Sequence, residues 1–303
     1  MKILLFGKNG QLGWELQRSL APLGEVLALD SRSEGPCGNF ANLYGISQTI
    51  RSFAPTIIVN AAAYTAVDKA ERDIDTAHTV NAVAPALLAH EARRSGAWLI
   101  HYSTDYVFDG SGDQYWKEID SAHPLNVYGK TKLAGDIAIR EAGCQHFIFR
   151  TSWVYAARGG NFAKTILRLA QERDQLNVIN DQFGAPTSAE LLADVTAQCI
   201  QQALGWPIQR PDVSGLYNVA AGGVTSWYDY AQFVIELARK ANSSIKVPHN
   251  ALKPVPTSSF SLLAQRPHNS RLDTQKLQST FNLTLPHWQS GVHRMLMEII
   301  ENK

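Results

Sequence analysis

The sequence predicts an α/β protein with a doubly wound parallel sheet and a smaller C-terminal lobe. Three observations carry this: short apolar runs without two-sided alternation, stretches of helical period between them, and a glycine-rich turn joining the first run to the first helix. Ile3–Phe6 ends at Gly7, Leu12, Leu16 and Leu20 then repeat at helical spacing, and Val26–Leu29 is a second run ending at Asp30. That is a strand, a helix and a strand. Further strands are expected at Ile57–Asn60, Trp98–Tyr102 and Phe147–Arg150, with helices at Tyr44–Ser52, Thr79–Arg94 and Val127–Glu141. The rhythm then loosens. Helices are expected at Phe162–Glu172, Ala189–Leu204, Trp227–Ala241 and Trp288–Ile299, and the Pro-rich stretch Pro248–Pro267 shows little periodicity. The first domain is therefore placed at residues 1–155, and residues 156–303 mostly in the second lobe, with a crossover back to the first domain left open.

Composition narrows the function classes. Of 303 residues, 45% are hydrophobic and 18% charged, which excludes disorder and coiled coil as the bulk architecture. Lys plus Arg number 28 against 27 Asp plus Glu, so the basic footprint of a dedicated nucleic-acid binder is missing. No apolar run approaches a membrane span. Cys37, Cys144 and Cys199 are far apart and odd in number, which fits reduced thiols of a cytoplasmic protein better than a disulfide framework. The nine histidines show no metal-ligand spacing and read as surface or satisfied core groups.

Gly7-Lys-Asn9-Gly10-Gln11-Leu12-Gly13 sits between the first strand and the first helix, the place of a Rossmann-type dinucleotide loop. Its glycines allow a tight turn, close approach of backbone to pyrophosphate, and close packing of helix on strand. The helix N-terminus offers unpaired N–H groups to phosphate. Asp30 closes the second strand seventeen residues after Gly13, where a carboxylate can accept hydrogen bonds from the adenosine ribose. Arg32 complicates the cofactor choice, since a guanidinium there pairs with a 2′-phosphate that Asp30 repels. NADH and NADPH both stay open.

The G-x-x-G-x-x-G spacing resembles the extended short-chain dehydrogenase/reductase superfamily, and Asn60-Ala61-Ala62-Ala63 matches its small-residue segment beside the cofactor. The bland alternative for that run is a packed strand end. Tyr128 and Lys132 stand four apart at the start of a helix for which Asn126 is a fitting cap, so both side chains share one face. They follow the strand ending in His101-Tyr-Ser-Thr-Asp105, as the superfamily requires. A nearby ammonium favours phenolate, so Lys132 is expected to lower the Tyr128 pKa and to bind the nicotinamide ribose. Tyr128 would protonate a carbonyl oxygen as hydride arrives, with Thr104 holding that oxygen. Ser103 is the alternative hydroxyl, but neighbouring strand residues point to opposite faces.

Longer strings narrow the resemblance. Ser103–Gly110, Pro124–Gly135, Arg150–Tyr155, Asn180–Thr187, Arg266-Pro267 and Ser270–Leu272 together resemble the dTDP-4-dehydrorhamnose reductase family over nearly the whole chain. The resemblance implies reduction of the C4 ketone of dTDP-4-dehydro-L-rhamnose by a nicotinamide cofactor, feeding rhamnose into bacterial surface polysaccharide. It also implies sugar contacts from Thr104, Asp105 and Trp153, and a Mg²⁺ held at a homodimer contact by carboxylates, with Glu15 and Glu190 as candidates. Family members often have Glu after the tryptophan of the last helix. Here Trp288 is followed by Gln289, so a weak or absent metal site is expected. A nucleotide-sugar epimerase or dehydratase of the same superfamily, or a non-catalytic dinucleotide-binding regulatory subunit, are the competing readings.

Overall fold

A computed structural model describes residues 1–204, 213–241 and 243–301. Five strands fall where the apolar runs lie: β1 Lys2–Phe6, β2 Glu25–Leu29, β3 Ile57–Asn60, β4 Trp98–Thr104 and β5 His146–Thr151. A sixth, β6 Gly215–Asn218, pairs in parallel with β5 and was not expected from the sequence. Its four residues begin with Gly and end with Asn, too few to show a period. All six strands are parallel, in the order β2-β1-β3-β4-β5-β6. The order reverses between β1 and β3, and in such sheets ligands bind outside the carboxyl ends of the strands at that point.

Both faces of the sheet are covered, which explains why its strands read as unbroken apolar runs. On one face Ile3, Leu5, Val59, Ile100 and Phe149 pack against helix α1 (Gln11–Leu20) and against Leu192, Val195 and Cys199 of a helix beyond the first domain. The other face carries Leu4, Phe6, Ile58, Leu99 and Ile148 beneath α2 (Leu43–Phe53), α3 (Ala84–Ser95) and α4 (Val127–Ala142). A second core lies in the C-terminal half, where α5 (Phe162–Glu172), α7 (Trp227–Lys240) and α9 (Trp288–Glu301) pack around Tyr230, Val234 and Val292. Between them in sequence, α6 (Ala189–Leu204) lies on α1 and α8 (Gln275–Phe281) beside β6. The chain therefore returns to the first sheet twice after residue 155. Within the Pro-rich stretch, Leu252–Val255 is a strand paired with Leu176–Ile179, hidden from sequence reading by its proline and its brevity.

The expected helix at Thr79–Arg94 is instead a π-helical turn, Thr79–Val83, followed by α3. Pro85 in the first turn of α3 has no N–H to give the Asn81 carbonyl four residues back. Gly135 of α4 presses on that carbonyl: a Cβ there would lie 2.2 Å from Asn81 O. The Asn81 side chain completes the joint, accepting from the Tyr64 amide at 2.8 Å and donating to Thr131 Oγ1 at 3.1 Å. This contact sets the height of α4 over the sheet. Gly135→Ala should lower stability by about 1–3 kcal/mol by overpacking, read as a drop in Tm, and should reduce turnover as α4 shifts; an unchanged Tm would show that the joint yields freely.

Candidate active site

The glycine loop is built by close approach. Gly7 has φ +92°, and a Cβ on it would lie 2.7 Å from the backbone of Ala61 and Ala62; one on Gly13 would lie 2.0 Å from Gly7 O. Gly10 is open by comparison, with its nearest contact at 3.4 Å. It is the N-cap of α1 and no side chain caps that helix, which leaves the first-turn amides, at Gln11 and Leu12, to an outside acceptor. Ala61 and Ala62 are half-buried against the loop and Ala63 is exposed. Asp30 closes β2 beside them. Its carboxylate accepts from Asn9 Nδ2, from Ser33 Oγ at 3.0 Å and from the Arg32 amide at 3.1 Å. Burial pushes this carboxyl up, but the Ser33 and Arg32 hydrogen bonds, the Lys8 charge and Asn9 outweigh it and leave it below the usual range. Arg32 engages Asp30 through its backbone, and its side chain is exposed. The cradle fits a dinucleotide: glycines where Cβ atoms would fill it, open amides, and an acid at the ribose position.

Helix α4 carries the Tyr–Lys pair to the carboxyl end of β4. Asn126 caps it, accepting from the Gly129 amide at 2.8 Å, and Glu71 accepts from the Val127 amide at 2.8 Å. A segment of the C-terminal half straps this end. Asn126 Nδ2 donates to Gln265 O at 2.7 Å, and Arg266 pairs with Asp68 at 2.6 Å. Thr104 is close enough to Tyr128 to act on its hydroxyl. Thr104 donates to Asp105 Oδ1 at 3.0 Å, and the nearby Ser270 hydroxyl also favours the Asp105 carboxylate. The choice between the hydroxyls is thereby visible: Ser103 points away, donating to Asp136 Oδ2 at 2.8 Å.

Electrostatics differ from the sequence expectation in one respect. Burial pushes the Tyr128 hydroxyl up, the Thr104 hydroxyl opposes this, and the charges of Asp105 and Asp136 add to it, so the expected lowering by Lys132 does not prevail. Lys132 is itself buried, donating to Tyr102 O at 2.6 Å and meeting His101 Nε2 at 3.1 Å. Desolvation pushes the amine down to about 8 against the pull of Asp136. A phenol kept protonated near neutrality is suited to donating a proton. Asp105 is raised by burial to about 6, and its Oδ2, like Ser152 Oγ at the end of β5, is buried without a hydrogen-bond partner among the described residues.

Trp153 adopts φ +51°, uncommon for a side chain of its size. It stacks on Trp227 at 3.6 Å and covers Gly184, where a Cβ would touch its ring at 2.9 Å. Trp227 in turn donates to Gln182 at 3.0 Å. Gly184 also lines a cavity of about 300 Å³ with Ala185, Ala221, Arg271 and Gln275. Sequence reading missed Trp227, Asn60, His101, Asp136 and Arg150. Asn60 and His101 become visible as a pair only through the register of β3 with β4.

Glu15 and Glu190 lie near each other, and each is engaged by an arginine. Arg18 lies 3.3 Å from Glu15 and Arg294 lies 3.6 Å from Glu190. Among the described residues no three His, Cys, Asp or Glu side chains are grouped to hold an ion. Gln289 is exposed and adds no charge. Within one chain, Glu15 and Glu190, each facing an arginine, leave Mg²⁺ too few free oxygen ligands.

The fold and this constellation define a nicotinamide-dependent oxidoreductase of the extended short-chain type. A family model described as the RmlD substrate binding domain matches residues 1–300. The chain is 58% identical over 299 residues to the dTDP-4-dehydrorhamnose reductase of Escherichia coli K12, covering 99% of this chain and 98% of that one. A dTDP-4-dehydrorhamnose reductase structure from Clostridium acetobutylicum superposes with TM-score 0.89 at 33% identity, covering 99% of both chains. The Bacillus anthracis enzyme of the same name, solved in complex with NADP, gives TM-score 0.87 at 32% identity, covering 98% of this chain and 99% of that one. The chain belongs to the dTDP-4-dehydrorhamnose reductase family. No helix among the described residues is long and apolar enough to cross a membrane.

Two outcomes follow from the two acids. Asp30→Ala should raise the ratio of kcat/KM for NADPH over NADH roughly tenfold, about 1.4 kcal/mol; a fixed ratio would show that Asp30 does not meet the ribose. For Asp105 the raised pKa sets the sign. Between about pH 4, where the unfolded chain releases this proton, and pH 6, the native chain binds the extra proton, so its contribution to stability falls as pH rises. Asp105→Asn should flatten that stretch of the profile in urea unfolding, and an unaltered slope would show a carboxyl that is already ionised.

Proposed function

We propose that this chain reduces the C4 ketone of dTDP-4-dehydro-L-rhamnose to the alcohol of dTDP-L-rhamnose. The observation that carries the reading is that Tyr128 and Thr104 come together at the end of β4, with Lys132 one turn further along the same helix. A bound nicotinamide supplies the hydride. Thr104 orients the ketone oxygen next to the phenol, and Tyr128 delivers its Oη proton to that oxygen as negative charge develops. Lys132 holds the ribose and orients the phenol. Asp105, anchored by Thr104 and Ser270, and Trp153, braced by Trp227, form two walls for the hexose. The loop from Gly7 to Gly13, with Asn9, Gln11 and Leu12, Asp30 and the Ala61–Ala63 segment hold the dinucleotide. The division of labour follows the two cores, with the first sheet taking the cofactor and the second core the nucleotide sugar. The reading places the protein in the cytoplasm, where its three free thiols, Cys37, Cys144 and Cys199, stay reduced, and as a homodimer feeding surface polysaccharide.

Single-turnover loss of nicotinamide absorbance with NADPH and the 4-ketosugar tests the assignment. Tyr128→Phe should slow the chemical step by about 10² to 10⁴ with Tm nearly unchanged. Near-normal turnover would transfer the acid role elsewhere, and cofactor that is restored rather than consumed would mark an epimerase.

A further inference from the structure

No step of that reaction uses His101, yet this side chain is wholly buried and meets Lys132. Asn60 closes β3, and His101 is its register partner on β4. The Asn60 carboxamide cannot turn over freely, because its Oδ1 accepts from the Ala62 amide at 3.1 Å. Its Nδ2 is therefore the end that faces His101 Nδ1, at 3.0 Å. An amide nitrogen only donates, so Nδ1 accepts, and a neutral imidazole then carries its proton on Nε2. That proton points at Lys132 Nζ, 3.1 Å away, while Nζ donates to Tyr102 O at 2.6 Å. An ammonium has no lone pair with which to accept the Nε2 proton. An uncharged amine has one.

We infer that His101, set by Asn60, is a positioning residue that holds Lys132 as an uncharged amine in the cofactor-free enzyme at mildly alkaline pH, and that Lys132 gains its charge on leaving His101 for a bound dinucleotide. The inference rests on the place given to Lys132 in the proposed reaction. Its proton balance is simple: the Nε2–H···Nζ hydrogen bond breaks, the freed lone pair takes one proton from solvent, and His101 keeps its own. The ionisable groups around Lys132 are Tyr128 and Asp136 on its own helix, His101 on β4, and Arg150 on β5 behind Asp136. Asp136 favours the ammonium, whereas burial opposes it. Burial, the larger cause, keeps the His101 ring well below its ordinary range, hence neutral, with or without a charge on Lys132.

Nitrogen NMR of the histidine rings in the full-length, cofactor-free protein at about pH 9 tests the holding step, the His101 signal being the one missing from His101→Gln. The expected tautomer is Nε2–H in the wild type and Nδ1–H in Asn60→Asp, where the carboxylate can only accept. A wild-type Nδ1–H tautomer or imidazolium overturns the inference and leaves the catalytic reading of Lys132 untouched. Calorimetry of NADPH binding at about pH 9, in two buffers of different ionisation enthalpy, tests the release. Uptake of about one proton per chain is expected in the wild type, with most of it lost in Asn60→Asp. Equal uptake in both overturns the proposal. No wild-type uptake despite an Nε2–H tautomer overturns the release step and counts against Lys132 as a cofactor ligand. If Asn60→Asp fails to fold, His101→Gln carries the same calorimetric expectation.

Discussion

The structure is organised around the burial of Lys132. An amine placed at 1% exposure between a helix and a parallel sheet loses its water, which favours the uncharged form, and the surrounding protein replaces that water with oriented partners. The Tyr102 carbonyl, the His101 ring and the Asp136 carboxylate all come from elements fixed by packing on both faces of the sheet. The fit of α4 on the π-helical turn through Gly135 keeps that distance constant. A reacting pair on the first turns of a helix thus inherits the rigidity of the sheet beneath it.

Behind the amine lies a second buried charge pair. Asp136 and Arg150 meet at 3.4 Å with side chains 1% and 4% exposed, and Ser103 donates to the same carboxylate. Removing one partner of such a pair typically costs about 3–5 kcal/mol, because the other is left charged in an apolar setting. Arg150 also lies over the Phe108 ring at 5.2 Å. This arrangement fixes β5 against α4, so the residues that follow β5, including Trp153 in its left-handed conformation, start from a rigid base. Sugar wall and proton donor are held in one frame.

Much of the fold was legible because a parallel sheet covered on both faces leaves plain traces: apolar runs such as Ile57–Val59 and helical repeats such as Leu12, Leu16 and Leu20. The glycine loop, Asp30, Thr104, Tyr128 and Lys132 were also legible, since their chemistry ties residue type to place. What stayed hidden depends on pairing between distant segments. β6 is four residues long, and its partner lies about seventy positions earlier. His101 reads as an ordinary core histidine until Asn60 is placed next to it in register. The lowering of the Tyr128 pKa expected from charge alone gave way to burial, whose extent no spacing reveals. For Glu15 and Glu190, the resemblance suggested a cation, and the arginines that face them come from α1 itself and from α9, the latter more than a hundred residues away.

The double return of the chain to the first sheet has a consequence for how the molecule divides. A fragment ending near residue 155 would lose β6, which covers the outer edge of β5, and α6, which shields Ile100 and Phe149 from water. It would expose an unpaired strand edge beside an aromatic face, a combination that invites association with other chains. The boundary of cofactor chemistry and the boundary of folding are therefore different places in the sequence. Insertions or fusions that respect only the first would sever the cooperative unit on which the glycine loop depends.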